Sequence, residues 1–377
     1  MEPQLNRFFF SVFLFSIGFG IMTPSVPLFA NLKLFANEWE LGILGALAAT
    51  PYVFGPALLG KLSDQVGRKP VIIVGLLIYV VTCIAYTMST SLYHLALLRI
   101  LEGVSFSSIW PSAEAYVADS TVAGSRSKAV CHYSIAWSSG YTVGPFLMGT
   151  VLAFFDIYSA FIASAAFLAC GMLLILLLKT PKNIHEKKET LSDPNTGRGI
   201  FYIIYTMIIW GFVTLSFFFL FPAYAGSNAI IPSYIAYLVG IVGLVRTIVF
   251  VLYDKVLKTF RSATLPSGML TLSVAMIIAW AFPSLPGFIL STMFLGLSLG
   301  LLYAYSLIYM LNKPAKGLYA GLFESSIGIG ELIGPIAMGY LGFVVVPSFP
   351  YLFLSILGII SFILMLRAMR GFSQQGP

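Results

Sequence analysis

Charge is what this chain has least of. Asp, Glu, Lys and Arg make up 9% of its 377 residues, where a soluble globular chain carries about a quarter. So few charges cannot cover a water-facing surface, which excludes an ordinary soluble domain. Cysteine and histidine are equally scarce. Cys83, Cys131 and Cys170 each lie in an apolar run without Cys-x-x-Cys spacing, and they read as small core residues rather than a disulfide framework. His94, His132 and His185 are far apart, and no His-Glu-x-x-His string occurs, so nothing suggests a metal site or a metallohydrolase. A phosphate-binding Gly-x-x-x-x-Gly-Lys-Ser/Thr loop is also missing. The expectation is no enzyme, no metal and no cofactor.

What the chain has in abundance is apolar sequence: 59% hydrophobic residues and a mean hydropathy of +0.93. A helix needs about 20 apolar residues to cross a bilayer. On that ruler there are twelve spans, at about 7–30, 40–60, 70–88, 92–118, 127–152, 157–179, 200–224, 231–252, 262–282, 286–311, 317–341 and 347–367. The apolar start at Phe8 continues to about Ala30, too long for a signal peptide. An all-α polytopic membrane protein follows.

Apart from Lys33, Arg99 and Arg246, all of the 21 basic residues fall in connections on one side, including Lys61, Arg68, Lys69, Arg126, Lys128 and Lys255. This topogenic bias makes that side, and both termini, cytoplasmic in a cell-membrane protein. It also explains the net charge of +7 without a nucleic-acid partner. The expected organisation is a six-helix bundle over 1–180, a solvated linker over 181–199 and a second bundle over 200–377.

An internal repeat supports that division. Shifted against itself by about 190 residues, the chain sets Asp254 on Asp64, Lys258 on Arg68 and Lys316 on Arg126. Gly330, Gly334, Pro335 and Gly339 likewise fall on Gly140, Gly144, Pro145 and Gly149. Parallel repeats of six spans place the pseudo-symmetry axis along the membrane normal.

At these residues the sequence resembles the major facilitator superfamily, over essentially its whole length. Gly60 to Lys69, with Gly60, Asp64, Gly67, Arg68 and Lys69 in register, resembles the family's signature between spans two and three. Arg99-Ile-Leu-Glu-Gly103 resembles its Arg-x-x-Gln-Gly motif, and Gly140 to Gly149 resembles the span-five motif of drug:proton antiporters. Gly18 to Pro27 matches a phrase of twelve-span multidrug exporters. Gln65, Glu102 and Met148 depart from these patterns, and span one carries no acid. The resemblance implies a secondary transporter of two pseudo-symmetric six-helix bundles working by alternating access, with Asp64 and Arg68 as an interdomain latch and Arg99 setting the proton affinity of a neighbouring acid. The leading expectation is proton-coupled export of small, largely apolar or drug-like molecules by a monomer. Its partners are the substrate, protons and membrane lipid. Uptake or facilitated diffusion of a sugar or other metabolite is the alternative.

The intramembrane charges are the candidate site, because ionisable groups in a span must face a partner or a cavity. On α-helical spacing Gly103, Trp110 and Glu114 fall within about 60° of Arg99, and Glu102 is one turn away. Glu324 and Glu331 share a stripe of span eleven, about two turns apart. Either can carry a proton, or one can pair with Arg246 in span eight. The Gly-Pro motifs read as close-packing devices with a bend at the proline. Trp210, Phe217, Tyr224, Tyr303, Tyr305 and Tyr309 either line an apolar cavity or face lipid.

Overall fold

The computed structural model describes residues 3–121, 123–178, 196–252, 263–311 and 316–373. The expected linker over 181–199 lies mostly outside them, as do Lys313 and the second hairpin with Asp254, Lys255, Lys258 and Arg261; the side chains of Arg126 and Lys316 are likewise not described. Among the described residues stand twelve long helices, one for each expected span. They are α1 (Pro3–Leu34), α2 (Glu38–Val66), α3 (Arg68–Tyr86), α4 (Leu92–Asp119), α5 (Ala123–Phe154), α6 (Ile157–Leu177), α7 (Thr196–Ser227), α8 (Pro232–Val251), α9 (Thr264–Ala281), α10 (Leu285–Leu311), α11 (Lys316–Val344) and α12 (Phe349–Ser373). Nine are long and apolar enough by composition alone, and α2, bent after Pro56, adds a tenth. The charged helix α4 and the Ser- and Gly-rich α5 are the two that composition alone does not identify.

The helices end where the sequence supplies caps. At the end away from the α2–α3 hairpin, Asn37 and Glu40 form a reciprocal capping box at 2.9 Å, and Asp156 accepts from the Ser159 amide at 3.0 Å. The hairpin itself is tighter than its ten-residue signature suggests. Lys61 and Asp64 are still helical, and the whole reversal falls on Gly67, whose φ of 95° is left-handed backbone that glycine tolerates best.

The chain forms two six-helix bundles. In the first, α1 packs on α5 and α6, while α4 packs between α2 and α3; in the second, α7 packs on α11, and α9 lies between α10 and α12. The bundles meet along α2 with α11, α5 with α8, and α1 with α7.

The repeated Gly-Pro motif builds both kinds of contact. A Cβ on Gly140 would lie 2.6 Å from the Phe13 carbonyl oxygen of α1, and one on Gly334 would lie 2.8 Å from the Phe212 Cα of α7. Those are contacts within a bundle. The last glycine of each motif instead faces the other bundle: a Cβ on Gly149 would lie 2.9 Å from the Ser233 carbonyl oxygen of α8, and one on Gly339 would lie 2.6 Å from the Glu38 carbonyl oxygen of α2. The motif thus divides into two positions that tie a helix into its own half and one that seals the halves together.

Gly42 of α2 completes that seal, because a Cβ there would lie 3.0 Å from the Cα of Gly339 and closer still to the Pro335 carbonyl. Gly42→Val should therefore push α2 from α11 at the end away from the hairpin, at about 1–3 kcal/mol of overpacking. Faster labelling of a cysteine at Thr23 by an impermeant maleimide from that side is the expected outcome; an unchanged rate would contradict it.

Candidate functional site

Where the bundles meet they enclose a cavity of about 180 Å³, and the intramembrane charges line it: Arg99 and Glu114 on α4, Arg246 on α8, Glu324 and Glu331 on α11. Its walls are largely aromatic. Phe19 comes from α1, Tyr79 from α3, Phe106 and Trp110 from α4, Trp137 and Tyr141 from α5, and Trp210 and Phe219 from α7. Of the aromatics singled out from sequence, Trp210 and Tyr303 line the cavity, Phe217 and Tyr224 are buried outside its lining, and Tyr305 and Tyr309 take no part in it.

Arg99 and Glu102 form a direct ion pair one turn apart on α4. Glu102 is completely buried, with the Tyr86 hydroxyl beside it. Arg99 Nε donates to the Leu44 carbonyl of α2 at 3.0 Å, and its guanidinium lies 4.5 Å over the Phe219 ring of α7. Gly103 makes this possible, since α4 crosses α2 with the Ala48 carbonyl against its Cα. The pair is fixed from three helices and carries no net charge.

The acids of α11 arrange differently. Tyr52 of α2 donates to Glu324 Oε2 at 2.6 Å. The carboxyl of Glu114 lies within hydrogen-bonding reach of Glu324, so two acids from opposite bundles meet. Two ionised carboxylates cannot rest against one another away from water, and such a contact holds when a proton is shared between them. Sequence spacing on α4 leaves Glu114 without a partner; only the packing of the two bundles supplies one. Glu331, two turns along, lines the same cavity near Arg99. Neither Glu324 nor Glu331 forms an ion pair with Arg246, which instead donates from Nε to Ser138 of α5 at 3.0 Å.

At the hairpin end, Asp64 of α2 and Arg68, the first residue of α3, form an ion pair across the Gly67 reversal, with Asp64 60% exposed. Arg68 also bonds Asp119 of α4 at 3.0 Å and Ser63 Oγ at 2.7 Å. Lys69 donates to the Leu176 and Leu178 carbonyls at the end of α6, at 2.8 and 2.7 Å. Among the described residues, the hairpin's polar partners all belong to the first bundle. Gly60 faces open space.

One Gly-x-Ser-x-Gly string does occur, at Gly296 to Gly300. It lies inside α10, where Ser298 is fully buried and donates to the Gly268 carbonyl at 2.7 Å, so it is a packing contact and not the strand-to-helix turn of a nucleophile. Among the described residues no group of His, Cys, Asp or Glu could hold a metal.

The Major Facilitator Superfamily model matches residues 8–311. The chain belongs to that superfamily. Among curated proteins it is 26% identical over 361 residues to Multidrug resistance protein 2 of Bacillus subtilis, covering 91% of this chain and 89% of that one. It is 24% identical over 356 residues to the Quinolone resistance protein NorA of Staphylococcus aureus, covering 90% of each. Among solved structures, a bacterial homologue of the human lysosomal transporter Spinster, inward-facing and unoccupied, aligns with a TM-score of 0.75 at 14% identity over 99% of this chain and 98% of that one. The chain is thus a multi-span membrane transporter with the major facilitator fold, not an enzyme.

Because Arg68 holds both Asp119 and Ser63 while Asp64 is mostly solvated, Arg68→Ala should lower the melting temperature of the solubilised transporter more than Asp64→Asn. Equal losses would contradict this division of labour in the hairpin.

Proposed function

We propose that this transporter exports small, largely apolar or drug-like molecules in exchange for protons. The observation that carries the proposal is the carboxyl contact between Glu114 and Glu324, which joins the two bundles inside an aromatic-walled cavity. A proton taken up there has a mechanical consequence. With it, the acids hold α4 to α11; without it, two like charges repel and the halves are released from this arrangement. The groups facing the pair are Tyr52 from α2, Tyr133 from α5, Tyr303 from α10 and Glu331 on α11. None of these is a cation, so no fixed positive charge substitutes for the proton. Arg99 and Glu102 neutralise one another and act as the anchor beside Glu331.

Charge placement supports a cytoplasmic hairpin end and cytoplasmic termini. The tight glycine contacts of Gly149 and Gly339 then seal the outer side. In this reading Asp64 serves as a latch between the bundles in another step of the cycle: it is exposed, and Gly60 beside it leaves an open face for an approaching helix. The drug-resistance relatives at about a quarter identity support the export direction and substrate class. The residues of the cavity, half of them aromatic and most of the rest small or aliphatic apart from the charges, suit an apolar body. A single chain holding both bundles supports a functional monomer.

The test is transport in proteoliposomes with an imposed pH gradient and a panel of fluorescent hydrophobic dyes. One-for-one exchange allows up to about tenfold dye accumulation per unit of pH. The full-length protein should approach that value, and Glu324→Gln should abolish gradient-driven accumulation while retaining dye-for-dye exchange. Accumulation by Glu324→Gln equal to that of the unaltered protein would remove the acid pair from the mechanism.

A further inference from the structure

Of the two arginines in the cavity, one is spent and one is not. Arg99 has its carboxylate, a backbone carbonyl and a ring face. Arg246 is 4% exposed, lines the cavity and has no acidic partner among the described residues. Its guanidinium stands 4.6 Å over Trp137 and 5.8 Å from Tyr141, two rings one turn apart on α5. Only Nε is engaged, by Ser138 Oγ at 3.0 Å. Ser138 is held in turn by Thr247 at 2.8 Å, and Thr247 by Thr142 at 3.1 Å. This polar knot across the α5–α8 contact fixes the plane of the guanidinium and leaves both Nη groups without an acceptor among the described residues.

A charge buried in a membrane span without a counterion is costly. The stacked rings offset part of that cost, and they leave unused the two parallel N–H donors that match a carboxylate bidentately. The acids nearby do not fill the role, because Glu114 and Glu324 hold each other and Glu331 lies by Arg99. Trp137 also contacts Tyr303 and Phe250 edge-on, at 5.4 and 5.7 Å between ring centres, so the cation sits among aromatic rings.

We infer that Arg246 is the recognition point for the carboxylate of an aromatic organic acid, whose ring system lies among Trp137, Tyr141 and Tyr303. The inference rests on reading the central cavity as the substrate site, and it narrows the drug-like class to molecules bearing an anionic head. Ser138 is a positioning residue here, acting through the Nε it accepts from.

Isothermal titration of the full-length protein in detergent with 2-naphthoate and with its neutral methyl ester tests this. The unaltered protein should bind the acid about tenfold or more tightly than the ester, since a site built to pair a polar group discriminates strongly against its absence. Arg246→Gln should erase that preference. Arg246→Lys keeps the charge but not the fork, so it should retain part of the preference, and it stands in should the glutamine variant not fold. Equal affinity for acid and ester in the unaltered protein, or a preference that survives Arg246→Gln, would overturn the assignment. The dye experiment separates this from the proposed export: proton-driven dye accumulation without acid preference sinks only the anion site. Acid preference without such accumulation sinks only the export reading.

Discussion

A carboxyl group on α4 rests against a carboxyl group on α11, and these helices belong to different halves of the molecule. In water such a contact would be trivial. Inside a protein that presents hydrocarbon-compatible surfaces on its outside, it is a strong constraint, because a buried charge requires a partner and two like charges supply none. On the proposed function, a proton shared between them is the one component of the contact that exchanges with solution. In our reading, the remaining architecture serves to make this small electrostatic event matter mechanically. Tyr52 fixes the rotamer of Glu324 from a third helix at 2.6 Å, so the pair cannot relax by swinging away.

For a pair like this to govern the whole molecule, the rest of the interface must separate without tearing. Glycine contacts do that. Gly42 against Gly339 and Gly149 against Ser233 bring backbones together through van der Waals contact, with no ion pair to break. Among the described residues the ion pairs lie within single halves: Arg99 with Glu102, and Arg68 with Asp64 and Asp119. Ion pairs thus act within a bundle, while glycine contacts, the hydrogen-bonded knot of Ser138, Thr142, Thr247 and Arg246, and a titratable contact join the two. Such a division suits rigid-body rocking of one bundle against the other.

Much of this was legible in the sequence, and the limits have physical causes. Ten of the twelve spans declare themselves by length and composition, while the charged α4 and the Ser- and Gly-rich α5 were legible from the length of their runs between neighbouring spans. The shift of about 190 residues identified the paired Gly-Pro motifs, since close packing admits only small side chains. Periodicity alone could not show that the third glycine of each motif faces the opposite bundle. It placed Glu324 and Glu331 on one stripe of α11, yet it could not pair Glu324 with Glu114, because that contact depends on the register between two halves more than 200 residues apart in sequence. Of the two readings open for the acids of α11, pairing with Arg246 is not the one the packing supplies; the cation instead lies on the rings of α5. Trp137 and Tyr141, at helical spacing beside Gly140 and Gly144, were the signal available, and reading it needed the knowledge that α5 packs on α8. The hairpin shows the opposite error. Its ten-residue signature looks like a loop, but residues 60–66 continue α2 and the turn is confined to Gly67, a position that only a residue tolerant of positive φ fits easily.

The central claim, that a shared proton joins the two halves, is tested most directly by a distance. Spin labels at Gln65 on the first bundle and Leu252 on the second occupy exposed positions at the hairpin end. With the native cysteines replaced, double electron–electron resonance on the reconstituted protein should show one narrow distance at acidic pH, matching the present arrangement. At alkaline pH a second, displaced population should emerge, and with glutamine at position 324 the distribution should no longer respond to pH. A distance distribution that ignores pH in the unaltered sequence would contradict the account.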